Sequence, residues 1–424
     1  MLDILYPIGF GAFRLGLRLA ALFGHAKARK AITGRRGWAE RLEGAVEALA
    51  ADKSGPWIHV HCASLGEYEQ AAPILDAFRE QAPHRPILLT FFSPSGKESV
   101  PDNAADHVGY LPFDTWRNMR RFDAILPAED TVLIKYELWP RLMDVRWSSG
   151  HKVHLVAARF DPGRHPADRW GGWMRKRMAN LTQILVQDGQ SAQAIGAFGL
   201  HADVVGDPRV DRVLSTVRNP PDHALQHRLD RLDRWRDGRN MLVAGSAWQG
   251  DWLAIRHLFP RLQDSEWCLL VAPHEVEGRH VENWTKESGF PRSSHFAEAD
   301  FPRSKGLILD EVGLLKHAYG LGEAAIVGGG WGDGVHNTLE AAGFGLPIAV
   351  GPKIAGFREI ESLQSQGGLT VCSTPDDLCE TIAWWMSPAG KAVRSEAGRS
   401  SAAWVSTHSG AGTRIAERII GRRD

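Results

Sequence analysis

Short apolar runs alternate with amphipathic or polar stretches along most of the chain. Trp57–Cys62 and residues 87–92, 131–136, 153–157 and 184–187 are four to six residues long and predict buried strands. Residues 69–79 predict the helix that follows the first of them. The pattern stops at 220–240, which is dense in Arg and Asp and poor in β-branched residues, and so reads as a linker or a solvated helix. It restarts with 241–245, 267–272, 306–309, Ala324–Val327 and 347–350. Two α/β domains with parallel sheets are predicted, with an N-terminal segment over 1–40, a first domain over 41–217, a linker over 218–240 and a second domain over 241–424 that includes the C-terminal helix. Doubly wound sheets bind ligands at the carboxyl ends of their strands, so function is expected there, in a cleft between the two domains.

The N-terminal segment follows a different pattern. Residues 4–13 are uninterruptedly apolar, about half of what a spanning helix needs, and Arg14 and Arg18 then break the run. At 100° per residue Arg14, Arg18, His25, Arg29 and Arg36 share one narrow stripe, while Pro7 and the glycines at 9, 11 and 16 weaken a helix. Up to Arg41 there are eight Lys or Arg against Asp3 and Glu40. A helix lying in an anionic membrane interface, rather than crossing it, is expected.

Composition narrows the function classes. Fifty basic side chains against fifty acidic ones leave no global electrostatic footprint for nucleic acid. Four cysteines, Cys62, Cys268, Cys372 and Cys379, with no Cys-x-x-Cys pair, fit a reducing compartment, and no secretory signal is expected. His59 and His61, two apart on one strand, have no acidic third ligand placed nearby in sequence and read as core histidines; no metal is expected. No Asp-x-Asp pair occurs, so leaving-group charge would fall to backbone amides and cations.

Two stretches carry chemistry. Val327-Gly-Gly-Gly-Trp-Gly-Asp-Gly-Val-His-Asn-Thr-Leu-Glu340 runs from a strand through a glycine-rich turn to Asn337, with Glu340 three residues on, and reads either as a phosphate site at a helix start or as a tight turn before a capped helix. It matches neither the dinucleotide fingerprint nor the P-loop. Ser64-Leu-Gly-Glu67 also joins a strand to a helix. Its spacing is that of a capping box, in which the glutamate does no chemistry, yet a carboxylate at that strand end could equally serve as a general base. Glu137, after 131–136, and Pro273-His274-Glu275, after 267–272, occupy comparable strand ends, and Trp331 is placed to stack on a ligand.

At these residues the chain resembles the 3-deoxy-D-manno-oct-2-ulosonic acid (Kdo) transferases of lipopolysaccharide assembly. The matching blocks, in order, are Ser64-Leu-Gly-Glu67, Tyr110-Leu-Pro-Phe-Asp114, Glu137-Leu-Trp-Pro140, Gly245-Ser246, Ala272-Pro-His-Glu275, Gly328-Gly-Gly330, His336-Asn-Thr-Leu-Glu340 and Gly351-Pro352. The resemblance implies a GT-B fold of two Rossmann-like domains and inverting, metal-independent transfer of Kdo from CMP-Kdo to a lipid A precursor at the cytoplasmic face of the inner membrane, with no cofactor. It implies Glu67 as catalytic base, Glu137 and Arg209 as transition-state stabilisers, and a CMP site of Pro273, His274, Val312, Gly313, Leu314, Asn337, Thr338, Leu339 and Glu340, with Ser246, Gly329 and Gly330 in a donor-site loop. Many relatives carry Arg where His274 stands and Lys where Arg209 stands. The rival readings are another GT-B nucleotide-sugar transferase or epimerase with a different donor, and a non-catalytic membrane adaptor on the same fold.

Overall fold

The computed structural model describes residues 2–161, 171–295 and 303–421, with the side chain of Asp102 left aside. The chain forms two compact units, one of residues 1–212 with 409–424, the other of residues 213–408.

The first unit is built on a seven-stranded parallel sheet of order β3-β2-β1-β4-β5-β6-β7. The strands are β1 (Trp57–Cys62), β2 (Ile87–Phe91), β3 (His107–Tyr110), β4 (Ala128–Ile134), β5 (Lys152–Ala158), β6 (Gln183–Val186) and β7 (Asp203–Val204). All six residues of β1 are buried, as expected of a central strand covered on both faces. Ile58, Val60 and Cys62 enter one core and Trp57 the other, the two-residue alternation of a strand. The first core holds Ile415, Ala416 and Ile419 from the C-terminal helix Ala411–Ile420. That helix packs against the helix Leu65–Gln81, and a Cβ on Gly412 would meet the Pro73 carbonyl at 2.8 Å. Asp211 accepts from the Gly412 amide at 2.7 Å and also from that of Gly410.

The second unit repeats the plan with a six-stranded parallel sheet, β10-β9-β8-β11-β12-β13. Its strands are β8 (Asn240–Ala247), β9 (Trp267–Pro273), β10 (Gly306–Ile308), β11 (Ala324–Val327), β12 (Ile348–Val350) and β13 (Leu369–Val371). Both orders follow the doubly wound scheme, in which the strand order reverses beside the first strand.

Three features differ from the sequence expectation. The C-terminal helix belongs to the first unit rather than the second, because its apolar stripe at 415, 416 and 419 completes the core beside β1. The stretch 218–240 is not a linker: it contains the helix His223–Arg236, whose Leu229, Leu232 and Trp235 are buried, and the division between the units falls between Arg212 and Val213, inside the helix Pro208–Arg218. Three apolar residues spaced three apart were masked by the charge around them. The edge strands β3, β7 and β13 carried too few apolar residues to read as strands.

The N-terminal segment forms α1 (Leu2–Leu22) and α2 (Ala26–Thr33). Pro7 and the glycines do not break α1. One stripe of it is tied to the first unit: Tyr6 Oη donates to Asp114 Oδ2 at 2.6 Å, and the Phe10 ring lies 6.2 Å from those of both Phe113 and Trp139. Another part faces α2 and Phe92, while Ile4, Ile8, Leu15, Leu19, Leu22 and, just past the helix, Phe23 are exposed. By length and composition α1 could also cross a membrane. Arg35, just past α2, is buried and donates to the carbonyls of Ala31, Phe92 and Leu111 at 2.7–2.8 Å; burial pushes its guanidinium down to about 10. It locks α2 onto the strand ends of β2 and β3.

Ile415→Ala removes a fully buried side chain from the first core and is expected to lower the stability of that unit by roughly 3 kcal/mol. Urea unfolding of the full chain measures it, and an unchanged midpoint would mean that the C-terminal helix contributes nothing to that core.

Candidate functional site

In both sheets every carboxyl strand end lies at one edge, and the sequence-predicted residues gather there. In the first unit Ser64 opens the helix Leu65–Gln81 directly after β1. Its amide donates to Glu67 Oε2 at 3.0 Å and its hydroxyl donates to the same oxygen. The capping geometry is therefore present, and it occupies Oε2 without any hydrogen bond to Oε1 among the described residues. Glu137 follows β4, the neighbour of β1, and accepts from Trp139 Nε1 at 3.0 Å. The two carboxylates share a locality: burial pushes the Cys62 thiol well up, and the charges of Glu67 and then Glu137 push it further the same way. Arg209 follows β7 on the same edge, three strands from β4, or roughly 14 Å at the usual strand spacing. Its guanidinium is paired with Asp207 at 2.6–2.8 Å.

The core histidines are not isolated from this edge. Thr90 Oγ1 lies 2.8 Å from His59 Nε2 and 2.9 Å from His61 Nδ1. A hydroxyl has one proton, so it donates to one ring and accepts from the other. When His61 Nδ1 is the acceptor, its Nε2 carries the proton, 3.7 Å from Glu137 Oε2. The fold thus brings to His61 the acidic neighbour that the sequence did not. Among the described residues no group of three or more His, Cys, Asp or Glu side chains is placed to hold a metal ion.

In the second unit the glycine-rich turn leaves β11 and is packed backbone on backbone. A Cβ on Gly328 would strike the Ser246 carbonyl, and one on Gly330 the backbone of Gly351. Gly329 has φ +94°, which a side chain rarely tolerates. Ser246, at the end of β8, also lies in the left-handed region, at φ 53°. One side chain bolts this assembly. Asp251 is fully buried, and its carboxylate accepts the amides of Gly329 at 2.7 Å, Trp248 at 2.8 Å and Trp331 at 3.3 Å. Burial raises its proton affinity, and these amides oppose the rise.

Pro273 ends β9 and His274 follows it, and Val312-Gly313-Leu314 follow β10, with Gly313 at φ +82°. Asn337 Oδ1 accepts the Leu339 amide at 3.2 Å, its Nδ2 donates to Glu340 Oε1 at 3.3 Å, and Thr338 is buried. The helix they start, Leu339–Gly343, is five residues long, so its dipole adds little and the loop amides must supply most of any anion site.

The predicted residues of each unit thus share that unit's sheet edge. Sequence reasoning missed Asp251, Trp248 and His336 as parts of the site. Asp251 carried a signal: an acidic residue three positions after Trp248 at a helix start has N-terminal spacing. What it caps besides that helix is a loop eighty residues away, which spacing cannot reveal.

The two parallel sheets, together with the solved structures that the chain resembles, show the GT-B class of fold. Over 87% of this chain and the whole of the other, the structure resembles UDP-GlcNAc 2-epimerase from Neisseria meningitidis bound to UDP-GlcNAc, with a TM-score of 0.65 at 10% identity. A glycosyltransferase from Rickettsia africae is similar over the same shares, with a TM-score of 0.59 at 10% identity. Residues 36–212 match the family model of the 3-Deoxy-D-manno-octulosonic-acid transferase (kdotransferase). The 3-deoxy-D-manno-octulosonic acid transferase of Haemophilus influenzae is 27% identical over 76% of this chain and 77% of its own length. Over residues 36–212 by that family model, and over most of its length by relatives at 22–27% identity, the chain is similar to the Kdo transferases.

Two outcomes test this architecture. Asp251→Ala leaves three amides without their acceptor and should destabilise the second unit by about 2–4 kcal/mol, read by denaturant unfolding. His59 is fully buried, and burial lowers its proton affinity well below the usual value. Unfolding restores an ordinary histidine, so the unfolded chain binds a proton that the folded one excludes. Stability should therefore fall as pH drops below about 6.5, by up to about 1.4 kcal/mol per pH unit. Urea midpoints between pH 5 and 7.5 should show a shallower slope in His59→Gln, and an unaltered slope would remove His59 as its source.

Proposed function

We propose that this chain transfers Kdo from CMP-Kdo to a lipid A precursor in lipopolysaccharide core assembly, by inverting glycosyl transfer that requires no metal. The observation that carries the reading is the presence of Glu67 and Glu137 at the ends of neighbouring strands, inside the unit that matches the kdotransferase domain. In this reading Glu67 is the base. The two donations from Ser64 fix Oε2, and Oε1 takes the proton from the acceptor hydroxyl. As that proton leaves, the acceptor oxygen forms its bond to the anomeric carbon, the bond from that carbon to the phosphate oxygen breaks, and the electron pair departs with CMP. Glu137 and Arg209 stabilise the charge that develops at the reacting sugar. Pro273, His274, Val312 to Leu314 and Asn337 to Glu340 bind CMP, with Ser246, Gly329 and Gly330 in the donor loop, where closely packed backbone lets amides reach a phosphate. The cap and the base readings of Glu67 are compatible, since the cap orders the carboxylate.

The acceptor reading has separate support. A cavity of about 610 Å³ in the first unit is lined by Arg14, Arg18, Arg29, Arg35 and Arg36, and by no carboxylate. The open apolar side of α1 lies on the same helix as two of these arginines. An anionic amphiphile suits both features, and with them a peripheral place for the protein at the cytoplasmic face of the inner membrane, with α1 in the interface rather than across it.

Incubation with CMP-Kdo and a lipid A precursor, followed by mass spectrometry of the lipid, tests the activity. Glu67→Gln should lower turnover by about a thousandfold or more while CMP affinity stays within about twofold. An active variant that is less stable by about 1 kcal/mol would return Glu67 to a capping role. Thermal protection by UDP-sugars but not by CMP would favour a different donor. Deleting residues 1–24 should reduce binding to anionic liposomes, and unaltered binding would sink the membrane role.

A further inference from the structure

In the second unit His274 is stacked on two further rings, Trp248 and His336. The Trp248 indole and the His336 imidazole are nearly coplanar, at 13°, and meet edge to edge, with Trp248 Nε1 donating to His336 Nε2 at 2.6 Å. His274 lies across both, its ring centroid 4.4 Å from that of Trp248 and 4.3 Å from that of His336, at 22° and 14°. An indole N–H can only donate, so His336 Nε2 must carry a lone pair and the ring's one proton sits on Nδ1. His336 is held neutral. A second proton would set N–H against N–H and place two cations one stacking distance apart.

We propose that Trp248 and His336 form a shelf that positions His274 as the phosphate-binding cation of the donor site, so that binding of the donor is accompanied by uptake of one proton at His274. The inference rests on the CMP-site reading and deepens it. His274 is exposed at the end of β9, where a proton can reach it, and the face of the indole attracts a cation above it. Burial, and after it the charge of His274, lowers the proton affinity of His336, so the inner ring is not the cation of this site. The other titratable groups on the surrounding elements do not supply this cation. Asp251, on the helix that Trp248 opens, is spent on three amides, and the Lys353 ammonium, after β12, donates to the Gly332 carbonyl at 2.6 Å. Glu275 and Glu277, on His274's own turn, and Asp333, on the glycine-rich loop, are acidic, as is Glu340 beyond it. A histidine in this place, unlike a permanently charged arginine, makes donor binding pH-dependent.

The test is calorimetric titration of the full-length protein near pH 8 with the methyl ester of CMP, a phosphodiester like the donor, which does not itself titrate near neutrality. Buffers of different ionisation enthalpy report the protons exchanged. The expected result is uptake approaching one proton and a Kd that rises roughly tenfold per pH unit above the histidine range. In His274→Arg the uptake should vanish and the affinity become flat with pH, whereas in His336→Gln, whose side-chain carbonyl can still accept from Trp248, the uptake should persist. Binding of the ester with no buffer dependence in the unaltered protein would overturn the inference and leave the CMP site standing, and so would uptake that is lost in His336→Gln but kept in His274→Arg. If neither the ester nor CMP binds, the CMP-site reading itself fails.

Discussion

Every strand in both sheets runs parallel to its neighbours, and this one directional constraint decides where chemistry can be placed. A parallel strand returns to the sheet only through a crossover, so each strand releases its chain at the same edge, and the loops there are the ones that can converge. Ser64, Glu137 and Arg209 follow three strands of the first sheet, while Ser246 lies at the end of β8 and His274, Val312 and Gly329 follow three more strands of the second. Residues up to 145 positions apart in the first unit, from Ser64 to Arg209, are brought to one edge by strand direction alone.

The two units use that edge differently. In the second, close packing of backbone leaves no room for side chains, and glycines at 328, 330 and 351 are required by contact rather than by flexibility. At these glycines no side chain can hold the backbone, and the buried carboxylate of Asp251 ties the loop through the amides of Gly329 and Trp331 while it caps its own helix at Trp248. Burying a carboxylate costs several kcal/mol unless hydrogen bonds satisfy it, so the loop and the aspartate depend on each other. In the first unit the edge is ordered by side chains: Ser64 holds Glu67, Trp139 holds Glu137, and the Thr90 hydroxyl links two core histidines behind them.

The N-terminal helix shows how one element serves two surroundings. Tyr6 and Phe10 settle one stripe onto the first unit, Phe13 stacks on Phe92, and Ile4, Ile8, Leu15, Leu19 and Leu22 stay exposed. The glycines and Pro7 weaken intrinsic helix propensity, which the anchoring stripe offsets, as tertiary packing commonly does.

From sequence alone the alternation of short apolar runs with helical stretches determined two parallel-sheet domains, because buried strands of such sheets must be apolar on both faces. It also determined the candidate residues at strand ends, since a strand, a turn rich in glycine and a helix start are all local signals. The tertiary structure decided what depends on distant packing. The C-terminal helix joined the first unit through Ile415 and Ile419, the stretch 218–240 became a packed helix on Leu229, Leu232 and Trp235, and Asp251 was tied to a loop far along the chain. The shelf of Trp248, His274 and His336 is of the same kind, since its rings come from three strand ends and meet only when the sheet is formed. Local periodicity fixes which residues are buried, but not which distant partner covers them.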